Sequence, residues 1–273
     1  MTVRNKSKRK PRKNLRKKSS SSGIEFVSPD DIPDEWNSVF YGQSGSGKNT
    51  MLSTFPKPLL LIDVAERGQK SMKGIKGIKV MRAKTWQDLE DIYWYLTQNP
   101  DEFKTVGVDT ITRAQTLLID AKVGGETGTQ ITQRMWGIIG TELKNWLINM
   151  RDLDNVNTVF LAQERIFNTP DEDEEIDDTD DEDDVILPTV GPRVMPSVMS
   201  ELCGAVDIVG MTFLKRKTIT IKNKEKLKIQ YCLRLGPHSR YITKIRKEKE
   251  IEVPRIVTNP SFKKLKEISK GAV

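Results

Sequence analysis

Cysteine and histidine are almost missing from this 273-residue chain, which has only Cys203, Cys232 and His238. Three such residues cannot assemble a Cys/His metal cage, and the two cysteines, which form no close pair, read as reduced structural thiols. His238 lies in Gly-Pro-His-Ser, a turn setting without a nucleophile elbow, so a Ser-His-Asp hydrolase finds no support and His238 reads as a surface residue. Long apolar runs are missing too. Charged residues make up 30% of the chain and the mean hydropathy is −0.52, and no segment approaches the length that spans a bilayer. The N-terminus is basic but has no apolar h-region, which argues against a secretory signal. A cytoplasmic protein with no membrane contact is expected.

The most informative stretch is Tyr-Gly-Gln-Ser-Gly-Ser-Gly-Lys-Asn-Thr, Tyr41 to Thr50. Gly42, Gly47 and Lys48 fall on the pattern G-x-x-x-x-G-K-[S/T]. Gln43, Ser44, Gly45 and Ser46 between them are mostly short and let backbone N–H groups turn inward around an anion. The short, partly apolar Ser38–Tyr41 can be the preceding strand, and Thr50–Phe55 can begin the following helix before Pro56 limits it. One position departs: Asn49 stands where Ser or Thr normally offers a hydroxyl to Mg²⁺, and its amide oxygen is an unusual hard-cation ligand.

Two further apolar runs end in acids. Pro58–Asp63 is continuous enough for a buried parallel strand, with Glu66 just beyond it. Because ligands of doubly wound sheets lie beyond the carboxyl ends of the strands, Glu66 is a candidate base for activating water, or else a solvated loop acid. Thr105–Asp109 likewise ends in Asp109, as a Walker B strand requires to hold magnesium beside the phosphates. Thr158–Ala162 reads as another buried strand, ending at Gln163 and Glu164, a polar pair placed to sense a γ-phosphate. Helices are expected over Thr85–Gln98, Ile111–Lys122 and Ile131–Met150 from apolar residues at helical spacing. A helix over Val198–Cys203, strands at Ala205–Phe213, Thr218–Ile221 and Lys228–Arg234, and a helix near Ser261–Ser269 complete the expectation.

Charge is unevenly spread. Residues 1–18 hold ten Lys and Arg and no acid; these outweigh the net +7 and leave −3 for the rest. Residues 1–22 therefore read as a disordered basic arm that contacts phosphate backbones or simply solubilises the chain. Asp171 to Asp184 holds twelve acids, an acidic disordered insertion that masks the arm, discourages nonspecific DNA binding, binds a basic partner or is only solvated. The folded core is expected over 23–250, with 251–273 as a C-terminal docking segment.

The order of these features resembles the RecA-like recombination ATPases, and among them the small phage-encoded, core-only relatives that act as single-strand annealing proteins; the match covers roughly Val39 to Arg246. Ile62-Asp63-Val64-Ala65-Glu66 looks like that family's catalytic strand end, although the glutamate stands three places after the aspartate rather than two. Val106–Thr110 resembles Walker B, and Phe160–Arg165 the strand whose glutamine couples the γ-phosphate to a DNA loop. The resemblance implies an α/β fold: a RecA-like P-loop NTPase core, its largely parallel sheet flanked by helices, with a C-terminal β-hairpin. It implies ATP and Mg²⁺ as cofactors, with Gly42–Thr50 cradling the phosphates, Lys48 on the β/γ-phosphates and Asn49 with Asp109 on the metal. Glu66 would orient water and Gln163 would relay. Lys244 and Arg246 would act on a neighbouring subunit's nucleotide in a ring or filament. DNA loops would fall at Gly124–Thr129 and at Arg165–Arg193. The implied partners are single-stranded DNA, further copies of the chain, and single-strand-binding or other replication proteins. The implied setting is the cytoplasm of a phage host. A non-hydrolysing, nucleotide-gated adaptor is the alternative.

Overall fold

A computed structural model describes residues 28, 35–124, 130–167, 188–221, 224–247 and 250–271. The basic arm, all but the first residue of the Gly124–Thr129 loop, and the acidic block lie outside the described residues. The chain divides into Met1–Asp34 and Glu35–Val273, and the architecture is that of the second unit.

Its spine is four short strands whose every residue is buried: β1 (Ser38–Tyr41), β2 (Leu59–Val64), β4 (Thr105–Asp109) and β5 (Asn157–Ala162). Such strands need apolar side chains on both faces, because helices cover both. On one face α2 (Trp86–Gln98), α3 (Ile111–Val123), α4 (Gln133–Arg151) and α5 (Pro196–Ala205) pack on Val39, Leu60, Ile62, Val106, Val108 and Phe160. On the other, α1 (Lys48–Leu52) and α6 (Phe262–Ser269) pack on Phe40, Leu59, Leu61, Val159 and Leu161. Each fully buried Leu or Ile contributes about 1.5–3 kcal/mol. The edge strand β3 (Ile78–Ala83) has little buried and is correspondingly mixed in sequence, IKVMRA, so its period is not legible in isolation.

The nine-stranded sheet runs β11-β9-β8-β1-β5-β4-β2-β3, with β10 (Lys244–Ile245) on β8. It is parallel from β8 (Ile208–Ile221) through β3; β9 (Lys224–Arg234), β10 and β11 (Ile256–Thr258) pair antiparallel. The strand carrying the glycine-rich loop is therefore separated from β4 by β5. This is the expected α/β P-loop core, and β8–β9 is the expected hairpin. The strands expected at Ala205–Phe213 and Thr218–Ile221 are in fact one 14-residue strand, preceded by a helix that runs on to Ala205. Cross-strand pairing carries β8 through Leu214–Lys217, which sequence pattern leaves as a break. A separate two-stranded sheet pairs β6 (Glu164–Phe167) with β7 (Thr189–Pro192), bracketing the acidic block. The segment after residue 250 joins the core: β11 extends the sheet, and Phe262 stacks on Phe55 at 4.5 Å.

Local signals explain the helix starts. Thr85 and Asp88 form a reciprocal capping box at α2, and Thr132 caps α4. Between layers, Gly107 of β4 lets α1 close down, since a Cβ there would stand 2.4 Å from Leu52 Cδ2.

Candidate nucleotide-binding site

At the C-terminal end of β1 the chain turns through Gly42–Gly47 into α1. Gly42 has φ 151° and lies so close to β8 that a Cβ would sit 2.3 Å from the Thr212 carbonyl oxygen; Gly47 has φ 98° and lies against the ring of Tyr231. No side chain is tolerated at either position. Thr212 holds the turn from behind, with its hydroxyl 2.6 Å from Ser46 Oγ and 3.1 Å from the Tyr41 carbonyl.

Lys48 Nζ donates to the carbonyl oxygens of Gly42 and Gln43, each at 2.8 Å. Burial lowers its pKa from the ordinary lysine value, while the carboxylates of Asp109, Glu164 and Glu66 oppose that shift. Asn49 Nδ2 donates to Asp109 Oδ2 at 2.9 Å and to the Gly68 carbonyl at 3.3 Å. Its Oδ1 is buried without a hydrogen-bond partner. Burial pushes the Asp109 carboxyl above the usual aspartate range; the Asn49 hydrogen bond opposes this, Glu66 reinforces it, Lys48 opposes and Asp63 reinforces.

A cleft of about 350 Å³ opens over these groups, with Thr50, Glu66, Thr110 and Gln163 on its walls. Gln163 Nε2 stands 3.5 Å from Glu66 Oε1, and its backbone N–H donates to Thr112 Oγ1. Arg193 donates from its backbone to the Gln163 carbonyl at 2.7 Å and from its guanidinium to Gln163 Oε1 at 3.4 Å. The cleft thus collects the loop, Lys48, Asn49, Asp109, Glu66 and Gln163. Lys244 and Arg246 are elsewhere. Lys244 Nζ caps the C-terminus of α5 by donating to the Cys203 and Gly204 carbonyls, and Arg246 pairs with Asp207 at 2.7 Å.

Sequence reasoning misses Tyr231, which lines the cleft from β9. No local motif marks it, since only the pairing of β9 with β8 and of β8 with β1 carries it to the loop. Gly68 is missed for the same reason: the turn after β2 brings its carbonyl to Asn49.

Among the described residues no group of three or more His, Cys, Asp and Glu could hold a metal. An orphaned buried amide oxygen beside a desolvated carboxylate nonetheless fits a hard cation that takes its remaining ligands from phosphate and water, as Mg²⁺ does.

The sequence matches the family described as AAA domain over residues 34–247. No curated protein matches it. Among solved structures it is similar to an ATPase from the type III secretion system of pathogenic bacteria, at 11% identity and a TM-score of 0.38. The alignment covers 64% of this chain and 50% of that one, so this chain matches about half the length of that ATPase.

Proposed function

The chain belongs to the AAA domain family, and from that premise we propose that it is an ATP-binding DNA recombination protein that binds single-stranded DNA and promotes annealing, with ATP hydrolysis as its switch. The observation that carries the reading is the Lys48–Asn49–Asp109 cluster at the ends of β1 and β4, with Glu66 and Gln163 across the cleft. The DNA part rests on the resemblance of the ordered motifs to RecA-like annealing proteins.

In this reading the N–H groups of Gly42–Lys48 bind the phosphates, and Lys48 exchanges its two carbonyl partners for β- and γ-phosphate oxygens. Asn49 Oδ1 and Asp109 would hold Mg²⁺, which when bound supplies charge stabilisation to the transferring phosphoryl group. Glu66 orients the attacking water. Gln163 reports on the γ-phosphate through its contacts with Arg193, which lies at the foot of β7 and so at the border of the proposed second DNA loop. Lys244 and Arg246 stand away from their own protomer's cleft, so their proposed role is toward the nucleotide of a neighbouring copy.

A second reading, a non-hydrolysing nucleotide-gated adaptor, is favoured by one contact. The Asn49 amide turns toward the Asp109 carboxylate a nitrogen that cannot ligate a metal, whereas a single hydroxyl oxygen can donate to that carboxylate and ligate the metal at once. The deciding experiment is ATP hydrolysis by the full chain, with and without single-stranded DNA, alongside Lys48→Ala and Asn49→Thr. DNA-stimulated turnover that Lys48→Ala abolishes and Asn49→Thr raises is the expected result. ATP binding without turnover in either wild type or Asn49→Thr would leave the adaptor.

A further inference from the structure

Among the described residues, positions 214–218 and 227–230 of the β8–β9 hairpin take no part in the core or in the cleft. The 18 residues from Leu214 to Tyr231 hold seven Lys and Arg against a single acid, Glu225. Register sorts the described side chains onto two faces. Lys217 is paired with Lys228, and Lys215 with Gln230; Leu214 is paired with Tyr231, Arg216 with Ile229, and Thr218 with Leu227. Directly paired residues share a face and successive residues alternate. One face therefore presents Lys215, Lys217 and Lys228, all exposed. The other presents Arg216 and Thr218 among Leu214, Leu227, Ile229 and Tyr231, the four apolar side chains being between 41% and 61% exposed.

Lysines placed directly across a ladder repel one another and weaken the ribbon. Among the described residues none of the three forms an ion pair. Consecutive lysines of β8 on this face stand about 6.8 Å apart, the repeat of two strand residues. Among the described residues the face places no apolar anchor between them, whereas a protein partner would need one to be held specifically. What suits such a face is a regular polyanion bound by charge alone, as a nucleic-acid backbone is. Three residues beyond Lys228 on the same strand, the Tyr231 ring packs on Gly47 of the phosphate loop.

We propose that the Lys215–Lys217–Lys228 face of the β8–β9 ribbon binds the phosphate backbone of a single strand, and that β9 links this contact to the nucleotide cleft through Tyr231 on Gly47. The inference rests on the DNA-binding reading above and adds to it a site outside both implied DNA loops.

The test is binding of fluorescein-labelled oligothymidylate to the full chain by anisotropy across a salt series, with and without ATP. The variants are a Lys215→Gln/Lys217→Gln/Lys228→Gln triple, the corresponding triple to Arg, and Tyr231→Ala. Losing three phosphate contacts makes the log–log salt slope shallower by about 2; the Gln triple is expected to show that loss and the Arg triple to keep the wild-type slope. Tyr231→Ala is expected to bind DNA but to lose the effect of saturating ATP on DNA affinity, because coupling between two ligands is reciprocal and needs its connection. Wild-type slope in the Gln triple would overturn the site. ATP coupling preserved in Tyr231→Ala would overturn the link. If the Gln triple instead loses only polyglutamate binding, the face belongs to an acidic protein segment and the proposal falls. Wild-type protein that binds no oligothymidylate would sink the DNA reading itself, an outcome distinct from failure of the ribbon alone.

Discussion

Asp63 and Asp109 are aligned in register at the ends of adjacent parallel strands, and both are almost fully buried, at 2% and 4% exposure. In sequence each closes an apolar run, and only Asp109 is read there as the Walker B acid. Their surroundings separate them. Asp63 faces the edge of the sheet, where Arg82 of β3 stands 3.9 Å away and the Gln69 amide, in its hydrogen-bonding orientation, bridges the two. Among the described residues Asp109 forms no ion pair; it receives the Asn49 amide, feels the Lys48 charge from the loop and is desolvated beside other carboxylates. An acid given a cation by its own fold serves the fold, and an acid left short of one is available to a ligand.

Replacing each acid by its amide puts that contrast at risk. The largest effect is expected from Asp109→Asn, a drop of at least about 100-fold in Mg²⁺-dependent ATP turnover, while Asp63→Asn stays within about twofold. Similar losses in both would erase the distinction.

Stability should move the opposite way. Because burial raises the folded pKa of Asp109 above its unfolded value, the folded state holds the proton more tightly, and stability contributed by the neutral form is lost as pH rises through the folded pKa. Without nucleotide at neutral pH, Asp109→Asn should therefore melt above wild type. Asp63→Asn should melt below it, by about 1 kcal/mol for the weakened Arg82 and Gln69 contacts. Differential scanning calorimetry at two pH values reads both signs.

A finer probe is Asn49→Asp, which sets a second carboxylate against Asp109. Two such groups share a proton until the pH is high enough to ionise both, so Mg²⁺ dependence of nucleotide binding should strengthen from pH 6 to pH 8 more steeply than in wild type. Parallel profiles would mean that Asn49 does not face the metal position.

The smallest effect concerns the thiols. Cys203 is pushed up to about 12 by burial, with Lys244 opposing, and Cys232 is buried. Neither should react appreciably with iodoacetamide at pH 7.5 until the protein is unfolded, as mass spectrometry would record.

The features legible in the sequence are those whose cause is local. The phosphate loop, the buried runs of β2, β4 and β5 and the amphipathic α2 and α4 each carry their signal within a dozen or two residues. The Walker B role of Asp109 is legible there, but the contacts that occupy Asp63 are not, because they come from Arg82 on an irregular edge strand and from Gln69 in the turn after β2. Tyr231 escapes because its place is fixed by two strand pairings. Lys244 reads as a free cation because the carbonyls that engage it, at Cys203 and Gly204, are forty residues away along the chain.

The contact of Leu52 on Gly107 has a mechanical meaning. With no side chain between them, helix α1 and strand β4 meet almost backbone to side-chain tip, and β4 is paired on both sides, to β2 and β5. There is no compliant layer in that stack. The spacing between the helix that follows the phosphate loop and the strand that ends at Asp109 is therefore set by direct contact, and any side chain added at Gly107 would have to displace Leu52 and the helix that carries it.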